Sequence, residues 1–347
     1  MSIKVLVVDD SAFMRKTISS MLSSDDDIEV VGIAKNGAEA VEKVKPLDPD
    51  VVTLDIEMPV MNGLDALRKI MEIHPVPVLM LSSLTREGAR ETIKALEIGA
   101  FDYLHKNIAG DITGIVDIKE KLITKVKILA GKKPVMKRFM YADRMPPQLS
   151  TKKKFGKHKI TIVAIGTSTG GPKALANIIP LIPKDFSACI LIVQHMPKVF
   201  TGAFAERLNQ ISQIEVREAI NGDIVRPGVT LIAPGGIHTK VVNSRDLGVE
   251  IELTKTPSGL LYTPSVDIMM LSVADVYSER ALGVILTGMG SDGRDGMKTI
   301  KNRGGKTIVQ DEDSSVVYGM PKAVVDIGAA DKIAPVHEIA KDIIEAV

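Results

Sequence analysis

Apolar residues fall into short, nearly unbroken runs, set between longer stretches in which they recur every three or four positions. Up to residue 130 the runs are IKVLVVD, IEVVGIA, VVTLDI, VPVLMLS and FDYLHK, and the amphipathic stretches cover about residues 12–23, 37–46, 63–73, 87–98 and 112–130. Runs rich in Val, Ile and Leu without polar alternation predict strands buried on both faces, so helices must cover both sides of a parallel sheet. The pattern returns with KITIVAIG, ACILIVQ, VTLIAP, ALGVILTG and KTIVQ, interrupted by a β-rich insertion, VVNSRDLGVEIELTKTPSG. The expected fold class is α/β, with two doubly wound parallel-sheet domains whose ligands sit beyond the carboxyl ends of the strands.

One segment breaks the pattern. Residues 131–159 carry Lys132, Lys133, Lys137, Arg138, Arg144, Lys152, Lys153, Lys154, Lys157 and Lys159 against Asp143 alone, with a Pro-Pro pair and no periodicity. Such a stretch buries too little apolar area to offset its ordering entropy, and reads as a basic linker: a solvated spacer, or a strip that contacts an acidic partner or the neighbouring domain. The expected organisation is a first domain over 1–125, a linker over 126–158 and a second domain over 159–347, which suits a chain of 347 residues.

Composition narrows the chemistry. With 44 basic and 43 acidic residues, no Trp and 3% aromatics, neither global charge nor stacking platforms favour a nucleic-acid partner. No apolar run is long enough for a membrane span and the first residues lack a signal-peptide pattern, so no membrane insertion and a cytoplasmic location are expected. The single cysteine, Cys189, lies in an apolar run and reads as a small buried side chain.

In the first half, Asp9 and Asp10 end the first strand and Asp55 ends the third. Carboxylates gathered this closely repel, and their hard oxygens suit Mg²⁺. Ser82 and Lys106 end the fourth and fifth strands, placing a hydroxyl and an ammonium at the same crevice. Metal, hydroxyl and ammonium around a carboxylate can stabilise a phosphoryl group in transfer. This order of strand ends resembles the receiver domain of two-component response regulators. The resemblance implies phosphorylation of Asp55 by a histidine kinase and Mg²⁺ held by Asp9, Asp10, Asp55 and the backbone carbonyl of Glu57. It also implies phosphoryl contacts from Ser82 and Lys106, and Tyr103 at the aromatic switch position. Asn107 stands where receivers usually carry proline.

The second half opens on IVAIGTSTGGPKAL, a strand running into a glycine turn. The turn fails as a phosphate loop because Lys173 follows a proline and no Ser or Thr succeeds it, and G-x-G-x-x-G is absent. It does contain G-x-S-x-G with Ser168 at its centre, a pattern that exposes a hydroxyl or merely caps a helix. As a nucleophile Ser168 needs a base. His195 ends the next strand, and His238 follows Gly235-Gly236 as the second choice or a substrate contact; His337 reads as structural. For the acid, Asp292 in VILTGMGSDGRDG lies nearer the strand end than Asp295. Ser168, His195 and Asp292 then form a Ser-His-Asp set in an order different from that of the α/β-hydrolases.

GTSTGGPKAL, VQHMP, APGG-H and LTGMGSDGRDG, preceded by a receiver and a linker, resemble the CheB family of chemotaxis response-regulator methylesterases over essentially the whole chain. The resemblance implies a flavodoxin-like receiver and a Rossmann-like methylesterase domain. It further implies hydrolysis of glutamate γ-methyl esters on chemoreceptor cytoplasmic helices with release of methanol, possible deamidation of receptor glutamines, and no cofactor for ester hydrolysis. Ser168, His195 and Asp292 become the triad, with an oxyanion donor at the Met289 backbone N–H. The partners implied are methyl-accepting receptors and a chemotaxis kinase, and a monomer is expected. A non-catalytic regulator acting through protein contacts is the alternative.

Overall fold

The computed structural model describes residues 2–106, 112–132, 159–244 and 248–347. Asn107, His158 and nearly all of the basic segment lie outside the described residues. The chain divides into two compact units, one ending at residue 142 and the other starting at 143.

The first unit is built on β1 (Ile3–Val8), β2 (Ile28–Ala34), β3 (Val51–Asp55), β4 (Val78–Ser82) and β5 (Asp102–His105), all parallel, in the order β2-β1-β3-β4-β5. Helices Ala12–Leu22, Gly37–Leu47, Gly63–Ile73, Arg86–Ile98 and Ile112–Ala130 connect and follow them. Asn36, Asn62 and Thr85 each cap a helix, accepting from the backbone N–H three residues on. β3 and β4 are buried along their whole length, as their unbroken apolar sequences require. The chain leaves β1 toward β2 on one side and β3 on the other, so the crevice falls at the carboxyl ends of β1 and β3. Their register pairs Val8 with Leu54, which brings the next residues, Asp9 and Asp55, side by side.

The second unit holds a seven-stranded sheet, all parallel. In chain order its strands are β6 (Ile162–Thr167), β7 (Cys189–Gln194), β8 (Glu215–Glu218), β9 (Val229–Ile232), β12 (Ala281–Ile285), β13 (Lys306–Gln310) and β14 (Lys332–Ala334). Their order in space is β14-β13-β12-β6-β7-β9-β8. The β-rich insertion is an antiparallel pair, β10 (His238–Ser244) and β11 (Gly248–Thr254). β8 and β14 were not legible as strands, because EVRE and KIA are short, partly exposed edges without an apolar run. The β8–β9 crossover has no helix; instead Gly222 and Val225 donate to Ile251 and Val249 of β11, so the inserted pair covers it.

Here the chain moves outward from β6 through β7 and returns to β12 on the other side, so the switch point lies between β6 and β12. Thr167 stands opposite Gln194 on β7, and Gly166 opposite Ile285 on β12. The residues just past these pairs are Ser168, His195 and the 286–293 segment. One register therefore collects residues separated by more than a hundred positions. Among the described residues no helix is long and apolar enough to cross a membrane.

Candidate active site

Ser168 follows β6 in a turn shaped by glycines. Gly170 has φ +79°, a left-handed conformation that a side chain disfavours, and it leads directly into the helix Gly171–Ile178. At Gly171 a Cβ would stand 2.1 Å from Gln194 Oε1, so only glycine lets the turn close against β7. The Ser168 N–H donates to Thr287 O at 3.1 Å, and its carbonyl accepts from Gly171 N at 2.9 Å and Gln194 Nε2 at 3.0 Å. The same Gln194 amide donates to His195 O at 3.1 Å. One buried side chain thus ties Ser168 to His195, a clamp not legible in the sequence because Gln194 looks like an ordinary strand end. Beneath the turn, Thr167 Oγ1 donates to Thr287 O at 2.8 Å, and Thr287 Oγ1 donates to Thr169 O at 2.9 Å.

His195 begins where β7 ends, its N–H bonded to Thr167 O at 3.1 Å. Its Nε2 lies 2.8 Å from Asp292 Oδ2, and both side chains are 8% exposed. Nδ1 is buried without a hydrogen-bond partner. With a carboxylate on Nε2, the proton belongs there and Nδ1 carries the lone pair. The Ser168 hydroxyl forms no hydrogen bond among the described residues, so the serine–histidine bond is not made in this structure; catalytic hydrogen bonds commonly tighten only when substrate is bound.

Asp292 is held by more than histidine. Oδ2 also accepts from Val266 N at 2.7 Å, and Oδ1 accepts from Ser265 Oγ and Asp267 N, both at 2.9 Å. Those amides open the helix Val266–Tyr277, so the carboxylate sits at its positive end. Burial raises its pKa, but the hydrogen bond and charge of His195 and the backbone N–H groups outweigh that, leaving it below its ordinary value. Asp295, by contrast, is an exposed partner of Arg294 in the following helix.

His238 is not a second base. It is 1% exposed, its Nε2 lies 3.1 Å from Pro257 O, and its Nδ1 accepts from Ser265 N at 3.2 Å. Both ring nitrogens are used and burial lowers its pKa, so it is a neutral bracket for the segment 257–265. His337 lies in the terminal helix Val336–Ala346. The Met289 N–H, on the 286–293 segment, donates to no backbone group among the described residues, and the residue is 37% exposed.

In the first unit, Lys106 Nζ lies 2.6 Å from both Asp9 Oδ2 and Asp55 Oδ1. Asp55 Oδ1 accepts in addition from Ile56 N at 2.8 Å. Burial pushes the Asp55 carboxyl up to about 6 against the pull of Lys106. Asp9, Asp10 and Asp55 bring ligand oxygens within 4.8 Å of one another. Three carboxylates against one ammonium leave surplus negative charge on hard oxygens, a donor set that fits Mg²⁺. The Glu57 carbonyl accepts no hydrogen bond among the described residues and is available as a further ligand. Ser82 is fully buried with its hydroxyl 3.2 Å from Gly88 O and 2.7 Å from Thr92 Oγ1, so contact with a phosphoryl group requires it to rotate. Tyr103 is buried, which raises the pKa of its hydroxyl.

The CheB methylesterase family profile matches residues 163–343, and the response regulator receiver domain profile matches residues 5–114. A protein-glutamate methylesterase/protein-glutamine glutaminase of Pyrococcus horikoshii is 46% identical, covering 99% of this chain and 94% of its own. One of the same name from Bacillus subtilis is 47% identical, covering 99% and 98%. The solved CheB methylesterase catalytic domain of Thermotoga maritima is 42% identical, with a TM-score of 0.53 over 55% of this chain and all of its own. A serine turn, a buried histidine–aspartate pair and a receiver preceding them are thus joined in one chain, which belongs to the CheB methylesterase family.

Proposed function

We propose that the chain hydrolyses glutamate γ-methyl esters on the cytoplasmic helices of chemoreceptors, releasing methanol, under the control of phosphorylation at Asp55. The observation that carries this reading is the buried His195–Asp292 pair beside the Ser168 turn, with Nδ1 left as the base. A non-catalytic regulator would gain nothing from burying an imidazole with one unpartnered nitrogen, and relatives that match along the whole chain carry enzyme names.

In the proposed reaction Ser168 Oγ attacks the ester carbonyl while His195 Nδ1 takes its proton. Asp292 stabilises the imidazolium through Nε2. The tetrahedral oxyanion accepts from the Met289 N–H. A second donor is the Thr169 N–H: the Ser168 carbonyl of the same planar peptide is turned toward Gly171 and Gln194, so this N–H points the opposite way. The C–O bond to the methoxy group breaks, the imidazolium protonates it to methanol, and water with the same base frees the glutamate from Ser168. Ester hydrolysis by this route uses no cofactor. A glutamine side chain passes through the same steps with ammonia as the leaving group.

In the receiver, Asp55 accepts a phosphoryl group from a chemotaxis kinase. Asp9, Asp10, Asp55 and the Glu57 carbonyl would hold Mg²⁺, which when bound neutralises charge on the transferring group. Lys106 and a rotated Ser82 hydroxyl would contact the phosphoryl oxygens. Phosphate on Asp55 then relieves an inhibition that the receiver exerts on the esterase; tenfold to hundredfold activation requires only about 1.4–2.8 kcal/mol of differential stability. The chain acts in the cytoplasm as a monomer, with receptors and kinase as its protein partners. The test is methanol release from methylated receptor, with and without a small-molecule phosphodonor, by wild type and Ser168→Ala. The substitution should abolish release while receptor binding persists; hydrolysis at the wild-type rate by Ser168→Ala would overturn the assignment.

A further inference from the structure

We propose that Tyr262 is a positioning residue for the catalytic base, its ring fixing the plane of the His195 imidazole. The inference rests on the esterase reading above for its kinetic test and on geometry alone for its spectroscopic one. The two rings are stacked, with centroids 4.1 Å apart and planes 6° from parallel. Asp292 holds Nε2 at 2.8 Å, but a single hydrogen bond leaves the imidazole free to tilt about it. A parallel ring on its face removes that freedom.

The neighbours of Tyr262 indicate that stacking, rather than simple apolar burial, brings it inward. In the sequence GLLYTP, Leu261 is 85% exposed and Leu260 45% exposed, while Tyr262 turns onto the histidine. Hydrophobicity alone would have turned a leucine inward, since leucine loses no hydroxyl hydration on burial. A planar ring gains what a leucine cannot, the offset contact between π faces.

The segment that carries Tyr262 is fastened for this task. His238 joins its two ends, through Nε2 to Pro257 O and through Nδ1 to Ser265 N. Gly236 N donates to Thr263 O at 3.1 Å, and Ser265 Oγ donates to the carboxylate that holds the base. On the opposite side the Tyr262 hydroxyl reaches Gly290, where a Cβ would stand 3.2 Å from it, so the ring spans from the bracketed segment to the 286–293 segment. His238, which touches no reacting group, thereby acts on the base through Tyr262.

The experiment compares wild type, Tyr262→Phe and Tyr262→Leu by methanol release and by the downfield proton resonance of the His195 Nε2–H bonded to Asp292. Tyr262→Phe, which keeps the ring, is expected to retain kcat within about twofold and a sharp resonance, whereas Tyr262→Leu lowers kcat roughly tenfold or more at nearly constant KM and broadens the resonance. Thermal unfolding checks that Tyr262→Leu is folded, and Tyr262→Met replaces it if it is not. A leucine or methionine variant with wild-type kcat and a sharp resonance overturns the proposal. So does a phenylalanine variant as impaired as leucine, which would assign the role to the hydroxyl. If wild type releases no methanol yet the resonance responds as described, the esterase reading fails and the role of Tyr262 stands.

Discussion

Asp292→Asn keeps the size of the side chain and replaces one hydrogen-bond acceptor by a donor. Four donors surround the carboxylate, and each oxygen faces a backbone N–H: Val266 at Oδ2 and Asp267 at Oδ1. Whichever way the new amide turns, its NH₂ opposes one of those buried N–H groups and leaves it unsatisfied, at about 1–3 kcal/mol. With NH₂ toward Val266 it also donates to His195 Nε2, which moves the ring proton to Nδ1 and removes the base; the corresponding change in a serine protease costs about 10⁴ in kcat. With NH₂ toward Asp267, Ser265 Oγ can rotate to accept and His195 keeps its tautomer. It then faces a neutral oxygen, losing a charge-assisted bond of about 1.5–3 kcal/mol, or roughly 10–10² in rate.

The expected loss in methanol release therefore lies between about 10 and 10⁴, with destabilisation of about 1–3 kcal/mol measured separately by urea unfolding. A variant within about threefold of wild type in kcat would refute the assignment of Asp292 as the orienting acid, and unchanged stability would refute its role in satisfying the helix amides. The pH dependence has a definite sign. Because the folded pKa of Asp292 lies below the ordinary 3.8, its stabilisation is complete above that value and is lost as pH falls through the folded one. The stability gap between wild type and Asp292→Asn should be constant near neutrality and close only in acid.

Gly171→Ala would drive a Cβ to 2.1 Å from Gln194 Oε1 and 2.4 Å from Thr167 Oγ1, displacing the amide that joins Ser168 to His195. A fall in kcat of roughly 10²-fold with little change in KM is expected in the methanol assay. For Asp55 the sign is opposite to that of Asp292: between 3.8 and about 6 the folded unit keeps a proton that the unfolded chain has released, so stability falls as pH rises through that window. Asp55→Asn should remove that slope and gain up to about 3 kcal/mol at pH 7, and Mg²⁺ should raise the wild-type melting temperature more at pH 7 than at pH 5. His238→Ala leaves the N–H of Ser265 and the carbonyl of Pro257 without partners, so unfolding should show a loss of about 1–3 kcal/mol.

What sequence could supply was the position of strand ends. VVTLD and CILIVQ are buried at every residue, so the polar residues that end or follow them had to lie at the carboxyl ends of the strands, which is where Asp55 and His195 stand. The edge strands β8 and β14 escaped because they lack that apolar signal. His238 reads from sequence as the second choice of base or a substrate contact, yet is buried by contacts with Pro257 and Ser265 that local sequence does not encode. Tyr262 gave only a faint sign, one ring between two prolines in a chain with 3% aromatics. Its partner lies 67 positions away across the fold, joined by packing rather than by strand register.

The two crevices occupy equivalent places in doubly wound sheets and each contains a buried aspartate, yet their chemistry differs. The Asp55 side chain is 7% exposed and that of Asp292 8%, so burial does not separate them. Their donors do. Asp292 accepts from two backbone amides, a hydroxyl and an imidazole, enough to keep an anion in place and press it into service on one histidine. Asp55 accepts from one amide and from a lysine shared with Asp9, and its pKa rises to about 6. A carboxylate left short of donors beside two others would be stabilised by a metal cation. One carboxylate is satisfied by the protein and serves as a fixed charge; the other is left short of donors, and that deficit is what the proposed metal and phosphoryl group would meet.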